Sequence, residues 1–410
     1  MYYRQPEYFS SFRCIGGTCR FSCCVGWNIS MTDSEVEKVK NAPDCSPHVR
    51  SLMEQSFEQT GSEPKRNSVI HGKGFRCPML TEDNLCVIQK ELGEDYLCET
   101  CCEFPRKYRM VFDAHTKHFS HIYRSCHLSC PEVAKRLMTD KKAMNLVNVP
   151  VKESDIPSAT RRDSNETLKE RPEYLYRIEL FELFYSMISD RKIPLEQALT
   201  RGAFIAEMFS KVVEDKQQSL IPQLIPQLKT QFSTKTQFRG IDDIVPNPKG
   251  KLIVLGEMMD MVGNNLLHFL RGENGEYDLD KYKRGEENLA KALGGEDFPL
   301  RNIALNLLME LNVPFYSEKY TIFENYALFM TAFGAIRLNM LCAASEEAER
   351  ISLYLAEDYT AEFEGDELLS GFTSVISRVL CQSHEVADKL LSYLKSEGIC
   401  KPAALSVMVR

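Results

Sequence analysis

The stretch FRCIGGTCRFSCCVGW, residues 12–27, carries Cys14, Cys19, Cys23 and Cys24. Cys77 and Cys86 bracket CPMLTEDNLC. Cys98, Cys101 and Cys102 crowd CETCCEFPR, and Cys126 and Cys130 follow at x3 spacing. Thiolates are soft ligands that suit zinc or an iron–sulfur cluster. A tetrahedral zinc or a four-iron cluster each takes about four of them. Short spacings let one turn present two thiolates to one centre, and distant clusters then tie separate loops together. Consecutive side chains diverge. One member of each adjacent pair, Cys23-Cys24 and Cys101-Cys102, is therefore expected to ligate, and the other to pack or to serve a second centre.

Twelve of the 15 cysteines lie at or before Cys130, as do six of the eight histidines. Buried free thiols are the bland alternative, since cysteine behaves as a small hydrophobe. That reading suits Cys45, Cys342, Cys381 and Cys400, but twelve thiols in 130 residues exceed a packing need. The three-cysteine C-x3-C-x2-C signature is started by Cys19 and Cys23 and broken by Gly26. His115, His118 and His121 recur every third residue, a spacing that also fits an exposed strand or turn. Composition leaves zinc and iron–sulfur equally open.

The elements that must position these thiols are mixed. Thr32 and Glu35 form a capping box ahead of a helix that ends near Pro43. HFSHIYRSC reads as a strand, and Pro131 starts a helix just after Cys130. Residues 1–138 thus form a Cys-rich metal-binding module of short elements. Residues 139–172 read as a helix and polar linker, rich in Ser, Thr and Pro after 150. Residues 173–410 show apolar faces at helical spacing, so the fold class is mainly α, with an all-helical body behind the module.

The chain has 410 residues, 43% hydrophobic and 26% charged, with a formal net charge of −8. No Lys/Arg-rich block favours a nucleic-acid partner. No segment reads as a signal peptide or reaches the ~20 apolar residues of a membrane span, so neither membrane nor export is expected. A cytoplasmic location follows as an expectation, and there thiols stay reduced.

YFSSFRCIGGTCRFSCCVGWNI, CPMLTEDNLCVIQKELGEDYLCETCCEFPR and HLSCPEVAKRLM, in that order, resemble the bacterial flagellin lysine-N-methylases. A weaker likeness continues at FENYALFMTAFGAIRL. The resemblance covers most of the chain in order and is specific in residues 8–138. It implies that Cys14, Cys19, Cys23, Cys24, Cys77, Cys86, Cys101 and Cys130 are the characteristic thiols, with Cys45, Cys98, Cys102 and Cys126 as additions. It further implies a [4Fe–4S] cluster and methylation of flagellin lysines from S-adenosylmethionine. Which thiols hold the cluster it does not say.

Lysine methylation needs the neutral amine, and with a free pKa near 10.4 only about one in a few thousand is neutral at pH 7. Glu324 and Tyr326 are the candidate catalytic groups, set against a solvated carboxylate and a core tyrosine. Trp27, next to the first thiol cluster, is the candidate for the donor's sulfonium. No Gly-rich turn of a doubly wound sheet is present, so the donor site would be unconventional. Two other classes stay open: a zinc-stabilised scaffold or binding protein, and an iron–sulfur electron-transfer protein.

Overall fold

The computed structural model describes residues 1–26, 29–60, 66–69, 76–113, 115–157, 160–233, 238, 240–345, 366–381 and 383–410. The chain opens with β1 (Tyr2–Pro6) and α1 (Glu7–Ser11), then β2 (Ser30–Thr32), α2 (Asp33–Lys40) and α3 (Pro47–Gln55). Next come β3 (Phe57–Thr60), β4 (Arg66–Val69), α4 (Val87–Leu92) and α5 (Glu99–Glu103). The hairpin β5 (Arg106–Asp113) and β6 (His118–Cys126) leads into α6 (Pro131–Thr139). β7 (Leu146–Pro150), β8 (Arg161–Arg162) and α7 (Asn165–Glu170) complete the first part.

Local signals account for several of these. Thr32 N–H donates to Glu35 Oε2 at 2.7 Å while Glu35 N–H donates to Thr32 Oγ1 at 3.3 Å, the reciprocal box that starts α2. Pro131 takes the first turn of α6, where its missing N–H costs nothing. HFSHIYRSC is strand β6, as its β-branched and aromatic content implies.

Five strands form one sheet in the order β7-β1-β6-β5-β8. β1 runs parallel to β6, with Tyr3 opposite Ile122, and antiparallel to β7, with Tyr3 opposite Val149. A smaller sheet has the order β2-β4-β3. The stretch 139–172, expected to be a helix and a polar linker, holds the short helix α7 and also supplies β7 and β8 to the larger sheet. Its polar residues are pinned as well as solvated. Asp163 is buried and accepts from Arg109 at 3.1 Å and from Arg177 at 2.9 Å.

The body consists of α8 (Arg177–Ser189), α9 (Leu195–Glu214), α10 (Ile221–Ser233), α11 (Pro248–Met261), α12 (Leu279–Ala292) and α13 (Phe298–Glu310). α14 (Ile322–Ala343), α15 (Asp366–Cys381), α16 (His384–Ser396) and α17 (Pro402–Leu405) follow. Among the described residues no strand follows β8, and the protein is mainly α. α14 is the axis of the body and packs on α9 and α15. It is long and apolar enough to cross a membrane, but 94% of that window is buried inside the protein. Such a helix, apolar all round, is the core of a large bundle. Gly202 of α9 allows its approach: a Cβ there would lie 2.0 Å from the Tyr326 hydroxyl.

The apolar residues divide into two cores. The larger joins the body helices to α1, the sheet and α6, through Tyr3, Tyr8, Ile122, Leu128 and Leu137. The smaller contains Met31, Val39, Val49, Met53 and Ile88 with Cys77 and Cys98. The N-terminal residues are therefore not one packing unit. Residues 2–21 and 106–138 contribute to the body's core, and the smaller core is built from residues 29–98.

Candidate metal centre

At the junction of the two cores lies a cavity of about 390 Å³ lined by ten cysteines. They include all eight of the characteristic thiols, Cys14, Cys19, Cys23, Cys24, Cys77, Cys86, Cys101 and Cys130. Cys98 and Cys102, read as additions, line it too. Cys45 and Cys126 are buried elsewhere, in the smaller and larger core respectively. None of the 15 cysteines is in a disulfide.

Each thiol reaches the cavity on a braced segment. Cys24 and Cys77 are linked where Cys77 N–H donates to the Cys24 carbonyl at 2.8 Å, beside a bridge between Val25 and Arg76. Cys86 ends a hairpin closed by the Leu80–Cys86 bridge and caps α4. Cys98 caps α5 and Cys101 lies in it, the helix being tied to α2 where Glu99 N–H donates to Glu35 Oε1 at 2.8 Å. Cys130 caps α6, and the segment before it is held by α13. Buried Glu310 accepts from His127 Nδ1 at 2.9 Å and from Leu128 N–H at 2.8 Å, while Asn306 donates to the Cys126 carbonyl at 3.0 Å.

α15 secures the first thiol loop from more than 350 residues away. Arg378 is buried and donates to the carbonyls of Phe21 (2.8 Å), Ser22 (3.2 Å), Val25 (2.9 Å) and Ser129 (3.2 Å). One guanidinium thus binds the Cys23-Cys24 turn to the residue before Cys130. Gly371, seven residues earlier on the same helix face, lets Phe21 seat directly on α15. A Cβ there would lie 2.0 Å from the Phe21 ring.

Electrostatics divide the thiols. Burial pushes Cys19 up to about 11 and both Cys77 and Cys130 up to about 12. A hydrogen bond from Cys24 holds Cys23 below the ordinary thiol value, and one from Cys101 does the same for Cys98. Cys24 and Cys101, as donors, are correspondingly raised. Among the described residues no carboxylate pairs with Arg378, and its charge favours the thiolates of Cys19, Cys23 and Cys24. A buried cation without an acidic partner is costly unless something anionic faces it. Thiolate ligands, or an anionic cluster on them, fit that requirement. Among the described residues no three His, Cys, Asp or Glu side chains converge at the spacing of a single ion.

The other candidates lie elsewhere. Glu324 sits at the third position of α14 and forms a capping box with Thr321, accepting from its N–H at 2.8 Å. It also pairs with Lys395. Tyr326 is fully buried, donates to the Leu199 carbonyl at 3.2 Å and packs on Phe184 and Phe329. Neither lines the thiol cavity. Trp27 falls outside the described residues. His115 pairs with Glu179 and His121 packs on Tyr2, both on the β5–β6 hairpin and away from the cavity lining. Cys98 and Cys102 are additions by the resemblance yet line the cavity, and Arg378 and Gly371 are not singled out from sequence. The x2 spacing of Cys98 and Cys101 was a usable signal, whereas nothing local marks Arg378 or Gly371.

Comparison with known proteins places these features in a family. A family model described as the FliB lysine N-methylase C-terminal domain matches residues 182–408. The chain is 26% identical over 336 residues to the lysine-N-methylase of Salmonella choleraesuis, covering 76% of this chain and 78% of that protein. The lysine-N-methylase of Salmonella typhimurium gives the same identity and coverage. The flagellar biosynthetic protein FliU of Salmonella muenchen is 32% identical over 145 residues, 35% of this chain and 80% of that protein. No solved structure matches.

Proposed function

This chain belongs to the FliB lysine N-methylase family and is a protein-lysine N-methyltransferase, and we propose that its donor is S-adenosylmethionine, its acceptor flagellin and its inorganic cofactor a [4Fe–4S] cluster in the thiol cavity. The observation that carries the cofactor is the cavity itself: ten unbridged thiols around about 390 Å³, faced by the Arg378 guanidinium. That volume lies within the range of small-molecule sites. Flagellin is supported by the lysine-N-methylase and flagellar names of the relatives.

The reaction forms a C–N bond from the lysine amine to the donor methyl as the methyl–sulfur bond breaks. The sulfonium leaves as a neutral thioether, and the new ammonium sheds a proton. Two requirements fall on the protein. It must remove the lysine's proton, which desolvation or a nearby base achieves. It must also align nucleophile, methyl and leaving sulfur. When bound, an iron–sulfur centre supplies an anionic, redox-active core cross-linking the thiol loops. This chain's residues brace those loops through Arg378, Glu310 and Glu35.

The test is anaerobic purification with iron and sulfide analysis, followed by incubation with methyl-labelled S-adenosylmethionine and the host's flagellin. Label is expected in Nε-methyllysine by mass spectrometry. Cluster-loaded protein that leaves flagellin unlabelled would overturn donor and acceptor. Fully active protein devoid of iron would overturn the cofactor.

A further inference from the structure

We propose that the thiol cavity holds two separate metal centres: one on Cys14, Cys19, Cys23 and Cys130, the other on Cys24, Cys77, Cys86 and one sulfur of the Cys98–Cys101 pair. The Cys23–Cys24 peptide is the shared wall between them. The proposal deepens the cofactor reading above and rests on it only for the kind of metal, not for the number of sites.

Three observations on different footings give the same partition. The first is packing. Cys77 and Cys98 belong to the smaller core, with Cys24, Cys86 and Cys101 against it, whereas Cys130 packs against the larger one. The second is backbone bracing. The Cys24 carbonyl is tied to Cys77 N–H, while Arg378 ties the carbonyls of residues 21 and 22 to that of Ser129, beside Cys130. Cys23 is thereby placed with Cys130 and Cys24 with Cys77. The third is chain continuity: Cys14 and Cys19 lie on the same loop as Cys23, just ahead of the Arg378 tie at Phe21, and line the cavity with it.

Ligand counts agree with this division. One tetrahedral ion or one four-iron cluster takes about four thiolates, and ten is well beyond that. Two adjacent cysteines rarely serve one centre, because their side chains diverge. Here the divergence distributes them, one to each side of the wall. Within the second set, Cys98 at the head of α5 and Cys101 one turn into it lie close together, and one of the two completes the four.

The experiment counts metal in the full-length chain reconstituted anaerobically with iron and sulfide, and separately with zinc alone. Wild type is expected to bind about eight irons and eight sulfides, the wider thiol spacing suiting four-iron clusters rather than single ions. Cys14→Ala/Cys19→Ala and Cys77→Ala/Cys86→Ala should each retain about half of that, with half the cluster absorbance. Saturation of wild type at a single centre would overturn the proposal, and so would total loss of metal from either folded double variant. Circular dichroism identifies a variant that has not folded, and the wild-type count then decides alone. Failure here is separable from failure of the cofactor assignment. A single iron–sulfur centre would remove the pairing and leave the cofactor, and two zinc ions with no iron would do the reverse.

Discussion

Arg378→Met should release the first thiol loop while leaving the helical body folded. The wild-type guanidinium makes four hydrogen bonds to the carbonyls of residues 21, 22, 25 and 129, between 2.8 and 3.2 Å. A hydrogen bond contributes about 1 kcal/mol net, and acceptors left dry and unpaired cost as much again or more. Methionine fills similar volume but donates to none of them. Removing a buried charge gives some of this back. The balance is a loss of about 4 kcal/mol, felt where the bonds are. At 1.36 kcal/mol per tenfold, local opening of residues 19–25 becomes roughly a thousandfold more frequent. The assay is native-state hydrogen exchange read by mass spectrometry on peptides from that loop, with α14 peptides as the internal reference. Arg378→Lys keeps the charge but has only three donors without the planar fork, and should fall between the two. The reasoning is refuted if the loop in Arg378→Met exchanges at the wild-type rate, or if α14 loses protection equally.

Other perturbations have equally definite outcomes. Gly371→Ala should destabilise by about 1–3 kcal/mol, seen as a lower denaturation midpoint, because the new methyl overlaps the Phe21 ring at 2.0 Å. Lys251 is fully buried and donates to the Tyr282 hydroxyl and the Arg410 carbonyl, both at 3.2 Å, with burial depressing it to about 7 from an ordinary 10.5. Its folded pKa lies below its unfolded one, so the cost of burying its charge is full below pH 7 and fades as pH rises toward 10. Lys251→Met should therefore stabilise by about 3 kcal/mol at pH 6, by denaturant titration, with the gain shrinking at pH 9 to 10. Glu324→Gln loses the Lys395 ion pair and weakens the α14 cap, costing about 1 kcal/mol. Its methylation rate should stay within a few-fold of wild type, whereas loss of a general base would lower it about a hundredfold or more.

Signals confined to neighbouring residues were legible from the sequence. The Thr32–Glu35 box, Pro131 at the head of α6, the β6 strand and the body helices each rest on a spacing of two to four residues. Density marked the N-terminal set of twelve thiols, and the family resemblance singled out the eight that the fold brings to one cavity. Long-range pairing was not. β1 and β7 are five residues each and carry too little alternation to declare themselves, although their partners lie more than 100 residues apart in sequence. The polar run 150–172 reads as a linker because Asp163 shows its charge and not its partners, Arg109 and Arg177. Arg378 and Gly371 sit in an ordinary amphipathic helix, and only the folded chain shows what they touch. Glu324 and Tyr326 drew attention by residue type, while the structure gives one a helix start to cap and the other a place in the core.

The clamp on the first thiol loop has a bearing on biosynthesis. Phe21 and Arg378 are separated by 357 positions. At ribosomal speeds of about 5–20 residues per second, roughly 20 to 70 seconds pass between the two leaving the tunnel. Through that interval the loop lacks the Arg378 tie and keeps only its backbone bond to Cys77, so delivery of the proposed cofactor to these thiols would belong after translation rather than during it. Stalled nascent chains ending before residue 366 should have these sulfhydryls fully open to alkylation; protection at that stage would show that some other contact closes the loop first.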